Sequence, residues 1–414
     1  GADFLLLHLN LLGSDGPRTG VVHRCAAMLR AGLRARIGVR PEALGVPACK
    51  PHACPDAPNP CLAEGADSAR SGDTSRRRGP QTNPGAGLVP TPSLRKNALT
   101  NPPLEILPPD IRHLRQGNTG VDYVHRFDSG QPGPEVLVQA LTHGNEICGA
   151  HALVWLFDQG FRPQRGRLTL AFANVAAFER FDPAAPHRSR FVDEDLNRVW
   201  ADEALLGTVD TVERRRAREL RPFVDAADLV LDIHSMHEDC RPLMVCGTAD
   251  KNADYARELG VPGDLLIDTG HPAGLRMVER GGFSDPASPK RALLVECGQH
   301  WSSRSKAVAI DTLVRFLGLT GLADAEWALR HRQVPTPERQ RLVRVTEAVV
   351  ARSSGFHFLL PVQGLGVVPK AGTPIARDGD QVWCAPYDDT VLVMPSMQHA
   401  RPGNTQVRLG RYES

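Results

Sequence analysis

The sequence lacks several features that would assign the protein to a class immediately. It has no run of about 18 apolar residues, the length that crosses a bilayer as a helix, so no membrane partner is expected. Its charges nearly cancel, with 49 Lys and Arg against 47 Asp and Glu, which argues against a dedicated nucleic-acid-binding protein. Its nine cysteines follow neither zinc-finger nor CxxC spacing, which indicates reduced thiols in a cytoplasmic protein.

The first hundred residues are poor in aromatic side chains and rich in positive charge. They contain one aromatic residue, Phe4, and they hold 13 Lys and Arg against 7 Asp and Glu. From Pro41 to Pro92 the composition is dominated by Pro, Gly, Ser and Arg, which cannot bury enough apolar surface to fold. We therefore predict that residues 1–100 form a disordered extension that carries no chemistry.

From residue 101 onward the sequence alternates between strand and helix patterns. Near-continuous apolar runs predict buried strands at residues 135–143, 167–174, 227–235 and 291–298. Helical patterns occur at residues 147–160, 209–227 and 305–319. This alternation predicts an α/β fold with a parallel or mixed sheet and helices on both faces.

A second domain is predicted after a linker that contains two prolines, at residues 332–340. The residues beyond the linker form short strand-like segments, and Gly, Pro and Asp-rich turns separate them. We therefore predict an α/β domain at residues 101–334 and a small C-terminal all-β domain at residues 335–414.

The stretch "LTHGNEICG" places His143 and Glu146 three residues apart at the end of the first apolar run. The pair could be a solvated turn with a helix-capping acid, or it could bind one metal ion. An HxxE pair is a weak signal by itself, because the chain contains 15 histidines. The choice between a turn and a metal site therefore depends on which residues lie at the ends of the other predicted strands.

Those other strands also end on polar residues. The third strand ends with Asp232 and His234, and the fourth ends with Glu296. Because open α/β sheets bind ligands at the carboxyl ends of their strands, we expect these side chains to meet His143 and Glu146 at one edge.

Two imidazoles and one carboxylate are the ligand set of a catalytic zinc site, in which one position stays open to water. His143, Glu146 and His234 are therefore the predicted ligands of one Zn²⁺ per chain. Hydrolysis also needs a base that does not bind the metal, and Glu296 is the candidate. Asp232 could orient His234, or it could cap the following turn.

The stretch "RSRFVDEDLNRVW" could be a charged, solvated loop, but it also offers groups that bind anions. Arg190 lies seven residues before Asn197, and Arg198 follows. One arginine could hold a substrate carboxylate while the other stabilises a developing oxyanion.

The motifs "HGNE", "FVDEDLNR", "LDIHS" and "LLVECG", in this order, resemble the succinylglutamate desuccinylase/aspartoacylase family, a branch of the zinc carboxypeptidase-like hydrolases. The resemblance covers roughly residues 110–410. It implies a carboxypeptidase-like α/β/α sandwich, with zinc on the two histidines and Glu146 and with Glu296 as general base. It also implies that Arg190 polarises the scissile carbonyl and that Asn197 and Arg198 bind a substrate carboxylate.

The sequence departs from the family pattern at two places. The family has a further substrate-binding arginine shortly before the final glutamate, and here Arg276, Arg280 and Arg291 are candidates without a clear register. The tyrosine that closes the family's site has only Tyr387 as a counterpart, which we assign to substrate binding. His237, His271 and His300 are expected at the rim or surface rather than among the ligands.

The leading hypothesis is a zinc-dependent deacylase that cleaves the amide, or an ester, bond of a small N-acylated amino acid or related carboxylate. One alternative is a metallocarboxypeptidase or esterase with the same centre. Another is a non-catalytic zinc-containing binding protein, although Glu296 and Arg190 argue against it because binding alone needs no base. The sequence does not indicate the acyl group, the amine or the oligomeric state.

Overall fold

The four predicted apolar runs form neighbouring parallel strands in the middle of one sheet. The computed structural model describes residues 102–413, so the predicted disorder of residues 1–100 lies outside it. The strands are β1 Val124–Asp128, β2 Glu135–Ala140, β3 Arg167–Phe172, β4 Leu229–Met236, β5 Leu243–Val245, β6 Asp264–Ile267, β7 Arg291–Gln299, β8 Arg341–Val350, β9 His357–Phe358, β10 Gly366–Val368, β11 Pro374–Asp378, β12 Gln381–Cys384, β13 Thr390–Val393 and β14 Thr405–Glu413.

Three of the helices in residues 102–413 lie at the predicted positions, and four further helices were not predicted. The helices are α1 Ile147–Asp158, α2 Val175–Phe178, α3 Asp202–Leu206, α4 Val212–Ala226, α5 Asp250–Leu259, α6 Ser303–Leu319 and α7 Ala325–Arg330. Side-chain oxygens accept from backbone N–H groups at the start of two long helices: Thr211 accepts from Arg214 before α4, and Ser302 accepts from Ser305 before α6.

The larger sheet has eleven strands in the order β1-β3-β2-β4-β7-β5-β6-β8-β14-β13-β10. The strands β3, β2, β4 and β7 are parallel to one another, while β1 and β5 are antiparallel to their neighbours β3 and β7. The sheet is therefore mixed, which confirms the predicted α/β class.

Hydrophobic cores cover both faces of this sheet. On β2, Val136 and Val138 belong to a core that includes residues of α1 and α6, whereas Leu137 belongs to a second core with Leu220 and Val224 of α4. Side chains of a strand alternate between the two faces, so burial on both sides produces the near-continuous apolar runs of the sequence.

The strands after residue 340 extend the same sheet. β6 pairs in parallel with β8, and β8 continues through β14 and β13 to β10. A separate antiparallel sheet contains β12, β11 and β9. The division into two domains at residues 334 and 335 stays a prediction, and hydrogen-bonded strands lie on both sides of it.

No helix in the described part of the chain is both long and apolar enough to cross a membrane. The predicted cytoplasmic location stays a prediction.

Candidate metal centre and active site

The segment between β2 and α1 turns sharply before it reaches the predicted ligands. Leu141 is fully buried and has a φ of 60°, a left-handed conformation that costs a non-glycine residue about 1–2 kcal/mol. A Cβ atom on Gly144 would lie 2.4 Å from the carbonyl oxygen of Ser189, so the glycine of the HGNE motif permits a close backbone approach. These constraints hold His143 and Glu146 at the carboxyl end of β2.

The carboxylate of Glu146 lies between the two histidines. Its Oε1 is 2.7 Å from Nδ1 of His143, and its Oε2 is 2.9 Å from Nδ1 of His234. Glu146 is the N-cap residue of α1, but its side chain makes no capping hydrogen bond. The carboxylate therefore contacts the two imidazoles instead of capping the helix.

The second ring nitrogen of each histidine contacts another carboxylate. Nε2 of His143 lies 2.9 Å from Oδ1 of Asp195, and Nε2 of His234 lies 2.8 Å from Oδ2 of Asp232. Asp232 also accepts a hydrogen bond from Thr142 Oγ1 at 2.9 Å. If each Nε2 carries the proton, each Nδ1 has a free lone pair, which is the tautomer that a metal-binding histidine needs.

These residues fit a divalent metal ion. One ligand atom from each of His143, Glu146 and His234 lies within 4.8 Å of the others, and all three residues are buried. In the part of the chain that the structure describes, no other cluster of three such residues meets this distance. Two nitrogens and one oxygen, with carboxylates behind both imidazoles, are the donor set of a catalytic zinc site.

The charges of this cluster stabilise one another. Burial acts to raise the pKa of Glu146, but His143 and His234 outweigh it and hold this pKa well below its ordinary value. Burial acts to lower the pKa of His234, but Asp232 and Glu146 outweigh it and raise this pKa well above 6.5. Binding of a metal ion to His234 therefore competes with binding of a proton.

Glu296 lies beside the second histidine on the adjacent strand. β4 and β7 are parallel, and His234 is the register partner of Glu296. Glu296 is 7% exposed, and its Oε2 has no hydrogen-bond partner among the described residues. Burial, together with the charge of Glu146, raises the pKa of Glu296 well above its ordinary value. This shift increases the affinity of the carboxylate for a proton, which favours a role as a base.

Arg190 reaches the same cluster from a loop. Its Nη1 lies 3.3 Å from Oε1 of Glu146, and its Nη2 lies 3.1 Å from Oδ2 of Asp195. The loop is held by Glu213 of α4, whose buried carboxylate accepts hydrogen bonds from the backbone N–H groups of residues 192, 193 and 194. Its Oε1 also accepts from the side chain of Asn174.

Asn197 and Arg198 lie in a short 3-10 helix, Leu196–Arg198. Oδ1 of Asn197 accepts a hydrogen bond from the backbone N–H of Met277 at 3.0 Å. The side chain of Arg198 is partly buried, and its Nη2 is 3.8 Å from Asp195. Burial lowers the pKa of Arg198 to about 10, so the group is cationic at neutral pH.

The structure distinguishes the three arginines that precede Glu296. Arg276 is buried next to Met277 and therefore lies beside Asn197. Arg280 instead forms ion pairs with acidic residues of two helices. Arg291 donates to backbone carbonyls of residues 288–290 at the start of β7. Of the three arginines, Arg276 is the one that precedes Met277, whose backbone contacts Asn197, a predicted substrate-binding residue.

The remaining predicted residues are not among the contacts of the metal-binding cluster. The Tyr387 hydroxyl is 2.8 Å from Thr346 Oγ1, and Arg411 stacks on its ring. His237 and His271 are half-buried, but His300 is buried, contrary to its expected surface position. His300 Nδ1 lies 2.9 Å from Ser235 Oγ, and the backbone N–H of Ser235 donates to Glu146.

Sequence reasoning missed Asp195 and Glu213. Asp195 is part of the FVDEDLNR motif, but that motif contains three acidic residues in a row and the sequence offered no reason to choose this one. Glu213 lies in an Arg-rich helix whose sequence is typical of a solvent-exposed helix. The structure shows that its carboxylate is buried against the loop.

Comparisons with known proteins agree with the family resemblance that the order of the sequence motifs indicates. Residues 132–311 match the model of the succinylglutamate desuccinylase/aspartoacylase catalytic domain. A probable aspartoacylase of Parasynechococcus marenigrum is 38% identical over 106 residues, which are 24% of this chain and 33% of the relative. An N-acyl-aromatic-L-amino acid amidohydrolase (carboxylate-forming) of Rattus norvegicus is 34% identical over 118 residues, 26% of this chain and 35% of the relative. The chain thus spans about a third of the length of these curated relatives.

Solved structures share the fold over a longer range. A succinylglutamate desuccinylase of Vibrio parahaemolyticus matches with a TM-score of 0.53 and 15% identity, over 71% of this chain and 87% of that chain. One from Chromobacterium violaceum matches with a TM-score of 0.51 and 17% identity, over 71% and 90%. Residues 132–311 are thus similar to the catalytic domain of the succinylglutamate desuccinylase/aspartoacylase family, and the fold of solved members extends over a larger part of the chain.

Proposed function

We propose that the protein is a zinc-dependent hydrolase that cleaves the amide bond of a small N-acylated amino acid or a related carboxylate. The curated relatives are named as an aspartoacylase and an N-acyl amino acid amidohydrolase, which supports this class of substrate. The nitrogen and oxygen donors of His143, Glu146 and His234 would hold one ion per chain. When bound, Zn²⁺ polarises a carbonyl group and makes water a nucleophile near neutral pH.

One observation carries the catalytic part of the proposal. Glu296 is a buried carboxyl group in register with His234, and one of its oxygens has no partner among the described residues. A buried acid with a purely structural role would normally be hydrogen-bonded. An unpaired carboxyl oxygen next to the metal-binding residues is what a general base requires.

In this mechanism Glu296 takes a proton from the attacking water and later gives it to the leaving amine. Its raised pKa helps the first step, because a carboxylate of higher pKa is a stronger base. Arg190 donates to the oxygen of the scissile carbonyl as negative charge develops there. Asn197 and Arg198 hold the substrate carboxylate, and Asp232 orients His234.

The function is tested by measuring hydrolysis of a panel by zinc-loaded protein. The panel contains N-acyl amino acids, the matching esters and short peptides with a free carboxyl terminus. Release of amino acid from the N-acyl compounds is the expected result. Faster cleavage of the peptides or the esters would replace the proposal with the carboxypeptidase or esterase alternative, and tight binding without any hydrolysis would favour a binding protein.

The role of Glu296 is tested by Glu296→Gln, which keeps the size of the side chain but cannot accept the proton. We expect zinc content to be unchanged and kcat to fall by about 10²–10⁴-fold, the usual contribution of general acid–base catalysis. Glu258→Gln, an exposed residue of α5, is the matched control and should keep full activity. Near-normal turnover by zinc-replete Glu296→Gln would refute the mechanism.

A further inference from the structure

Trp301 lies against the turn that carries two of the proposed metal ligands. Its side chain is fully buried, and it follows the end of β7 by two residues. The indole Nε1 donates a hydrogen bond to the backbone carbonyl of Asn145 at 3.1 Å. Asn145 directly precedes Glu146, so this bond reaches the turn between His143 and Glu146.

The carbonyl of Asn145 comes just before α1, where the helix supplies no donor for it. α1 begins at Ile147 with Glu146 as its N-cap, and the carbonyl of the N-cap residue is the first that accepts a bond within a helix. Asn145 is 2% exposed, and a buried backbone carbonyl without a partner is destabilising. The indole of Trp301 therefore fixes the conformation of a turn that the helix itself does not hold.

Residues 104–107, which we call the strap, hold Trp301 from the other side. The backbone carbonyl of Trp301 accepts hydrogen bonds from the N–H groups of Glu105 at 3.0 Å and Ile106 at 3.1 Å. Oε2 of Glu105 also accepts from the backbone N–H of Ser303 at 2.8 Å and from its hydroxyl at 2.7 Å, at the start of α6. The strap thus contacts both Trp301 and the helix that follows it.

The strap is also attached to α1. The carbonyl of Leu107 lies 2.8 Å from Nε2 of His151, and Leu104 and Ile106 pack against the core that includes residues of α1 and α6. The strap precedes residues 132–311, the range that matches the family model. A segment outside that range is therefore connected, through Trp301, to the turn of the HGNE motif.

We propose that Trp301 is a positioning residue for the metal site and that the strap keeps Trp301 in place. Trp301 acts through the backbone of Asn145, and its bond holds His143 and Glu146 in place before an ion binds. A turn that is already held loses less conformational freedom on binding, so its affinity for the ion is higher. This inference rests on the proposed function, because it takes His143 and Glu146 as ligands.

The first test measures the turn itself and needs neither zinc nor turnover. In metal-free protein, amide hydrogen exchange reports on the N–H groups of Gly144 and Glu146, which donate to the carbonyls of Arg190 and His143. Trp301→Phe removes the indole N–H. It should raise both exchange rates by about 5–30-fold, as expected when a buried carbonyl loses its hydrogen bond.

Trp200→Phe is the matched control. Trp200 is also fully buried, and its Nε1 has no hydrogen-bond partner among the described residues. The substitution therefore removes the same atoms from the core without removing a hydrogen bond. Both variants should lower the thermal unfolding temperature, but Trp200→Phe should leave exchange at residues 144 and 146 unchanged. Equal changes in exchange in the two variants would mean that Trp301 only fills space, and they would overturn the inference.

The second test is zinc affinity, measured with a competing dye well below the unfolding temperature. The dissociation constant of Trp301→Phe should rise by about 5–30-fold, while that of Trp200→Phe should not change. If wild type binds no zinc but Trp301→Phe still exchanges faster at residues 144 and 146, the proposed function fails and the positioning of the turn by Trp301 stands. Wild-type zinc affinity in folded Trp301→Phe would overturn the inference.

The strap is tested by Glu105→Ala, which leaves Trp301 intact. Glu105 is exposed, so the substitution removes its two bonds to Ser303 without making a cavity. Residues 144 and 146 should exchange faster than in wild type, but less so than in Trp301→Phe. Glu326→Ala, an exposed residue of α7, is the control. If Trp301→Phe does not fold, Glu105→Ala decides the question, and wild-type exchange with wild-type zinc affinity would contradict the inference.

Discussion

Asp195 and Asp232 hold the two imidazoles by the nitrogens that point away from Glu146. The arrangement fixes the orientation of both rings before any metal arrives. It also makes the cluster sensitive to protons, because a carboxylate on each side of His234 favours the imidazolium form. A protonated His234 cannot bind a metal.

Zinc affinity should therefore rise with pH. Because the pKa of His234 is raised well above 6.5, affinity should increase as pH rises through that raised value and level off above it. Asp232→Asn removes a cause of the raised pKa, so its affinity should level off at lower pH. Its limiting affinity should be about 10–100-fold weaker, because the ring loses its orienting partner.

Competition titrations with a zinc-binding dye between about pH 6 and pH 9 would measure this effect. Asp254→Asn, an exposed residue of α5, is the control. If wild type and Asp232→Asn show the same pH profile and the same limiting affinity, Asp232 does not influence the ligand histidine.

The candidate ligands and the candidate base could be predicted from sequence because each is close to the end of an apolar strand. His143 and Glu146 follow β2, His234 lies near the end of β4, and Glu296 lies on β7. Asp195 could not be predicted in this way. Its contact with His143 joins residues 52 positions apart in the sequence, and Asp195 does not lie near the end of a strand of the parallel core.

At the scale of elements, the loop that carries Arg190 depends on one residue of α4. The carboxylate of Glu213 accepts three backbone N–H bonds from residues 192–194 and one from the side chain of Asn174. Both oxygens act only as acceptors. An amide at this position would present a donor to the backbone N–H groups.

Glu213→Gln should therefore lower the free energy of unfolding by about 1–3 kcal/mol, the cost of buried groups left without partners. The loop would also lose the hydrogen bonds that hold it. Activity should therefore fall, because Arg190 would no longer be held in position, while zinc content should stay constant. Chemical denaturation, metal analysis and kcat on the same preparation test this. Glu219→Gln, an exposed residue of the same helix, should change none of the three, and equal behaviour of both variants would refute the anchoring role.

Strand prediction succeeded where a strand is long and buried on both faces, as for β2 and β7. It missed β5 and β6, which have three and four residues and are too short to show a periodic pattern of hydrophobic residues. It also missed β1, an antiparallel edge strand with mostly polar residues. Short strands acquire their conformation from pairing with neighbours, and that pairing is not visible in their own residues.

At the scale of the whole molecule, a truncated chain lacking residues 1–100 should fold and bind zinc. The composition of that segment supports no core, and the residues of the metal-binding cluster all come later in the chain. Circular dichroism, thermal unfolding and zinc content of the truncated and full-length proteins would measure this. A truncated protein that is unfolded under conditions where the full chain is folded would contradict the prediction.

The strand order of the sheet has a consequence for biosynthesis. β14 lies between β8 and β13, so β13 and β10 reach the sheet only through a strand that follows them in the chain. On the ribosome, β10 and β13 emerge before β14, the strand that connects them to the rest of the sheet, and the edge of β8 stays unpaired until residues 405–413 arrive. Stalled or prematurely terminated chains would expose that edge, and they are therefore the species that we expect chaperones to bind.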